Sequence, residues 1–196
     1  MVVEGTTKRL ILLGFPLMIL VLIIGKEMFM VVFGASWAEA GVYSQILSFW
    51  IMVSFVTSPL SSLFSVLKKL RLMLFLSIAI FIIRSGALIV GGMYDDVYLS
   101  LILFSGTGGI IYILVGRWIL IESGVSLSNL FKSMLKNVVV GSILLGTIFI
   151  TKNLFSLDPI IITILGIIGI LPYYMVLIGR DDEIKSIFFN KFHGSD

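Results

Sequence analysis

One arginine interrupts a long apolar run in this 196-residue chain: Arg84, within Ile83-Arg84-Ser85-Gly86. It follows Arg71 by thirteen positions, about 20 Å at the helical rise of ~1.5 Å per residue. That is too deep for easy snorkelling. A mid-membrane arginine costs about 2.5–3.5 kcal/mol on insertion scales, so it faces a polar cavity or a partner. Its chemistry would be attraction of an anion, a phosphate or an acidic sugar. The structural alternatives are a helix-end carbonyl, a carboxylate of another chain, or the outer interface.

Ser44, Ser48, Ser58, Ser62 and Ser65 recur at three- and four-residue multiples, flanked by Ser54, Thr57 and Ser61. On a helix this is one hydroxyl face, able to hydrogen-bond a sugar or water. It is equally the composition of a close helix–helix contact, where small and hydroxyl residues let backbones approach. Gln45 lies beside the stripe, and Pro59 removes a backbone donor within it and should kink the helix. Arg84, Gln45, Ser58, Ser62 and Ser65 are the substrate-path candidates, with Pro59 as the kink. Pro16 and Pro172 should bend the first and last spans.

The elements that must position these residues are membrane helices. The chain is 59% hydrophobic and 13% charged, with mean hydropathy +1.15, far from soluble-domain averages. Runs of roughly 20 apolar residues qualify as spans. Six are expected, at about 10–32, 42–67, 72–92, 97–120, 134–151 and 159–178, making a single all-α transmembrane region. The first is too long for a signal peptide and lacks a small-residue cleavage site. With the N-terminus inside, eleven cationic residues fall on the cytoplasmic side and only Lys26 and Lys152 outside. The positive-inside rule therefore places both termini in the cytoplasm of an inner-membrane, multi-pass protein. Segments 126–137 and 181–193 have amphipathic helical spacing. They read as cytoplasmic surface anchors against membrane lipids, or, for the former, as an extension of the fifth span.

Other chemistry has little footing. Cysteine is absent and His193 is the single histidine, so no thiol nucleophile, metal cluster or conventional triad can be built. No cofactor, metal, catalytic residue or nucleic-acid partner is expected. Ser105-Gly106-Thr107-Gly108-Gly109 lacks the GK[ST] of a phosphate loop and reads as helix packing. Trp37, Tyr43, Trp50, Tyr112 and Trp118 fit an aromatic belt better than a sugar platform. Glu39, Asp95 and Asp96 lie in short outer turns.

The segment 33–62 resembles the polysaccharide-translocase branch of the multidrug/oligosaccharidyl-lipid/polysaccharide flippase superfamily. Phe33-Gly34, Trp37, Glu39-Ala40-Gly41, Tyr43, Gln45-Ile46-Leu47 and Ser58-Pro59-Leu60-Ser61-Ser62 carry the likeness. The resemblance implies two helical lobes around a cavity in a protein of 12–14 helices. Its cargo would be an undecaprenyl-diphosphate-linked glycan, moved by alternating access without bond chemistry. It also implies that this chain is a C-terminal portion, with Met1 in the loop before the ninth span, and that its partner is a missing N-terminal lobe. Alternatives are a cation-coupled multidrug exporter, a membrane-embedded transferase and a non-transporting membrane subunit. The exporter should carry intramembrane carboxylates, which these six spans are read as lacking, and the transferase a His or paired carboxylates.

Overall fold

In a computed structural model, residues 2–155 and 157–180 are described. The long apolar runs form helices because, in lipid, only intrasegment hydrogen bonds satisfy the backbone without leaving a sheet edge. In chain order these are α1 (Val2–Phe33), α2 (Ala38–Thr57), the single turn α3 (Leu63–Val66), α4 (Leu70–Met93), α5 (Val97–Glu122), α6 (Leu127–Phe155) and α7 (Pro159–Arg180). Five helical stretches are long and apolar enough to cross a membrane, and six if the two arms of α6, bent by 50°, form one span. The chain is an all-α, multi-pass membrane protein. The segment 181–193 lies outside the described residues.

The helices alternate in direction between a proximal end, where α1 begins, and a distal end. At the distal end Gly34, with φ 99°, turns the chain into a short 3₁₀ helix, Ala35–Trp37, that leads into α2. A side chain is strained at such φ. Asp95 makes the α4–α5 turn with φ 51°, and the Asp96 carboxylate caps α5 by accepting from the Leu99 N–H at 3.0 Å. Asp and Asn tolerate this left-handed region better than most residues.

Helix α1 packs on α2, α6 and α7, α2 on α5, and α5 on α4. Leu12, Phe64, Ile119, Met134 and Tyr173 belong to a buried proximal cluster, and Leu20, Ile24, Leu145, Ile148 and Ile162 to a distal one. The amphipathic start of α6 is divided. Leu130 and Met134 enter the proximal cluster, whereas Phe131 and Leu135 remain exposed.

Two helix irregularities position the polar side chains. The α-helix of α2 ends at Thr57 and Pro59–Ser62 is 3₁₀, before α3 resumes the α form. The kink expected at Pro59 is realised as this change of winding, since the proline ring excludes an α-type bond to the carbonyl four residues back. In α1 the non-helical residue is Ile24 (φ −122°, ψ 18°), not a residue next to Pro16.

Candidate substrate-path site

Arg84 of α4 is held by aromatic rings from two other helices. Its guanidinium carbon lies 4.0 Å from the centroid of Trp50 on α2 and 3.7 Å from that of Phe104 on α5. These rings meet edge to face at 5.5 Å. Gly108 gives them room: a Cβ there would lie 2.9 Å from Trp50 Cδ1 and 3.5 Å from Arg84 Nε. Desolvated cation–π contacts are worth about 2 kcal/mol or more, comparable with the insertion cost of the charge. The hydrogen bonds are not satisfied, however. Arg84 Nε and Nη2, and Trp50 Nε1, are buried without an acceptor among the described residues. Each unmade bond of this kind costs about 1–3 kcal/mol. The cage therefore fixes a cation whose buried donors meet no acceptor among the described residues.

A cavity of about 220 Å³ lies between α2, α4 and α5. Its polar lining is Ser54, Thr57, Ser58, Ser61, Ser77 and Tyr112. Ile80 and Tyr112 also line it. Each is four residues from a cage position, Arg84 and Gly108 respectively. The lining of the cavity thus begins one helical turn along α4 and α5 from the backbone positions of the cage. A more open groove runs along α2 past Trp50, Ser54, Phe55, Ser58 and Pro59, so Ser54 and Ser58 border both spaces. Ser61 Oγ donates to Ser58 O at 2.6 Å and Thr57 Oγ1 to Val53 O at 2.8 Å. These hydroxyls still have lone pairs to accept with.

The stripe read from the sequence divides along its length. Its distal third is packing: Ser44 and Ser48 bond carbonyls of their own helix, at 2.7 and 2.6 Å, where Gly41 meets the α1 backbone at Gly25 and Lys26. Ser58 reaches the cavity. Ser62 and Ser65 are exposed and outside its lining. The 3₁₀ segment advances 120° per residue against 100° for an α-helix, and over four residues this rotates the later serines by about 80°.

The glycine-rich face of α5 is also packing, as expected. Gly109 lies against Phe49, Gly116 against Thr57, and Ser105 Oγ donates to Ile46 O at 2.7 Å. Two tryptophans have partners that the sequence did not show: Trp50 is drawn to Arg84, and Trp118 stacks on Phe64 beneath Lys69. Lys69 pairs with Glu122, joining the proximal ends of α4 and α5.

Gln45 stands apart from Arg84, at the break in α1. Its Nε2 donates to Leu22 O at 2.8 Å and Ile23 O at 3.2 Å. Lys152 of α6 donates to the same Ile23 O at 2.7 Å and to Glu27 Oε2 at 3.0 Å. Glu27 corrects the sequence reading. It is an intramembrane carboxylate within span 10–32, its side chain only 12% exposed. The signal was present as a charged Lys26-Glu27 pair inside an apolar run. Comparison with family models, with curated proteins and with solved structures returns no match.

Proposed function

We propose that this chain is part of a membrane flippase that moves a lipid-linked oligosaccharide across the inner membrane by alternating access. The observation that carries the reading is the caged Arg84 guanidinium, two of whose nitrogens are buried without a partner among the described residues, with a hydroxyl-lined cavity that begins one turn away along α4 and α5. An intramembrane arginine with free donors suits a phosphate or diphosphate, which takes planar guanidinium bonds. Serine, threonine and tyrosine hydroxyls suit sugar, and the groove along α2 suits the polyprenyl chain. No bond chemistry is required of these residues. In the full assembly a second helical lobe closes the cavity from the other side. The proximal cationic residues then face the cytoplasm and its anionic lipids, at roughly 1 kcal/mol each.

Glu27 favours one other reading, a cation-coupled exporter, since such proteins place carboxylates within spans. Its pairing with Lys152 leaves it without free charge in this conformation, and the flippase reading stands first. The test is export of lipid-linked glycan in cells whose transporter carries Arg84→Ala or Arg84→Lys. Both variants should reach the membrane in normal amount. Arg84→Ala should lose export, and Arg84→Lys should keep only part of it, because an ammonium is a point charge without the planar fork. Unimpaired export by Arg84→Ala would remove Arg84 from the path.

A further inference from the structure

Helix α6 enters the membrane through a bend. Its distal arm, Val138–Leu154, lies at 50° to its proximal arm, Leu127–Leu135. At ~1.5 Å per residue the distal arm is about 25 Å long, which brings it close to the ~30 Å of a hydrocarbon core by itself. The proximal arm is therefore not needed to complete the span, and the bend turns it toward the membrane plane. It sits at the proximal end of the bundle, where Leu130 and Met134 join the buried cluster and Leu127 and Val138 pack against it. The arm carries more apolar surface than that cluster covers. At ~100° per residue, Phe131 and Leu135 stand about 40° and 80° round the helix from Leu127, and they are 65% and 45% exposed. Lys132 follows at about 140°, exposed and without an ion pair among the described residues. Asn129 and Ser133, both exposed, lie beyond it at about 200° and 240°. The order round the arm is protein core, exposed apolar pair, lysine, neutral polar face.

We propose that the proximal arm of α6 lies in the headgroup layer of the cytoplasmic leaflet and holds an anionic phospholipid there. Phe131 and Leu135 insert at the boundary between headgroups and acyl chains, as the apolar face of an interfacial helix does. Lys132 borders that face. Its alkyl stem can lie along apolar surface while the ammonium reaches a lipid phosphate, and a net negative headgroup is attracted where a zwitterionic one is not. The order of the sectors selects this occupant. A second protein laid over Phe131 and Leu135 would draw the adjacent ammonium into a dry contact, which is costly without a paired carboxylate. The leaflet offers hydrocarbon to one sector, phosphate to the next and water to the third. The Arg84 cage takes no part, and the test does not depend on transport.

The chain contains no cysteine, so single cysteines can report on chosen positions. Nitroxides are attached to Phe131→Cys, Leu135→Cys, Asn129→Cys and Ser133→Cys in the full chain in bilayer nanodiscs. All four positions are exposed, so the labels leave the core intact. Collision with oxygen and with a water-soluble nickel chelate is then measured by electron paramagnetic resonance. The labels at positions 131 and 135 should favour oxygen, and those at 129 and 133 the chelate. The proposal is overturned if all four favour the chelate, or if neither relaxant reaches 131 and 135, the result expected of a second protein on this face. A fluorophore on Phe131→Cys next compares quenching by phosphatidylglycerol and phosphatidylcholine, each carrying the same nitroxide near the top of an acyl chain, at equal mole fraction. Phosphatidylglycerol should quench more strongly, by up to about fivefold for one lysine at the surface, and Lys132→Gln should remove the difference. Equal quenching by the two lipids with Lys132 in place, or a preference that Lys132→Gln leaves unchanged, also overturns it.

Discussion

Substitution of Gly41 by alanine should loosen the contact between α1 and α2, on which the placement of Gln45 depends. The added Cβ would lie 2.6 Å from Lys26 Cα and 2.7 Å from Gly25 O. Both neighbours are backbone atoms, so no side-chain rotation can relieve them, and the helices must separate by about 1 Å to reach ordinary contact. Overpacking of this kind costs about 1–3 kcal/mol. The separation also stretches the Gln45 bond to Leu22 O, now 2.8 Å, worth about 0.5–1.5 kcal/mol. The expected loss is about 2–4 kcal/mol, measured by reversible unfolding of the chain in mixed micelles. Gly92→Ala and Gly146→Ala are controls, because nothing lies within 4 Å of a Cβ at either. They should be neutral or stabilising, since alanine is the better helix former. The packing argument fails if Gly41→Ala unfolds at the same denaturant concentration as Gly92→Ala.

Trp50→Leu removes one face of the Arg84 cage and should cost about 2 kcal/mol of stability; the same unfolding assay checks it, and a Trp50→Phe variant should recover part of the loss. Tyr173→Phe leaves the buried Leu12 carbonyl without the donor now at 3.1 Å, and should cost about 1–2 kcal/mol with no change in glycan export. Lys69→Met should cost less than about 1 kcal/mol, because both partners of its pair with Glu122 are 38% exposed and half-exposed pairs are weak. A double-mutant cycle with Glu122→Gln gives the coupling.

Much of the architecture is legible in the sequence because hydrocarbon enforces length and apolarity on each span. The expected 72–92 and 159–178 correspond closely to Leu70–Met93 and Pro159–Arg180. Arg84 was visible as a charge where lipid excludes one. Its cage was not: Trp50 and Phe104 are supplied by α2 and α5, and nothing local to either residue marks it as a cation–π partner. The hydroxyl stripe was legible only as far as α-helical phase holds, and the 3₁₀ turn after Pro59 changes that phase. The Glu27–Lys152 pair joins residues 125 positions apart, across a break at Ile24 that no proline adjoins. The carboxylate itself was readable from the composition of the first span.

The central claim is that Arg84 holds an anionic lipid headgroup. Binding of undecaprenyl diphosphate and of undecaprenol to the purified wild-type chain and to Arg84→Gln tests it most directly. Charged hydrogen bonds are worth about 1.5–3 kcal/mol, so the wild type should prefer the diphosphate by about tenfold or more, and Arg84→Gln should bind both lipids alike. A wild-type chain that binds both with equal affinity, or an Arg84→Gln chain that keeps the full preference, would contradict the account.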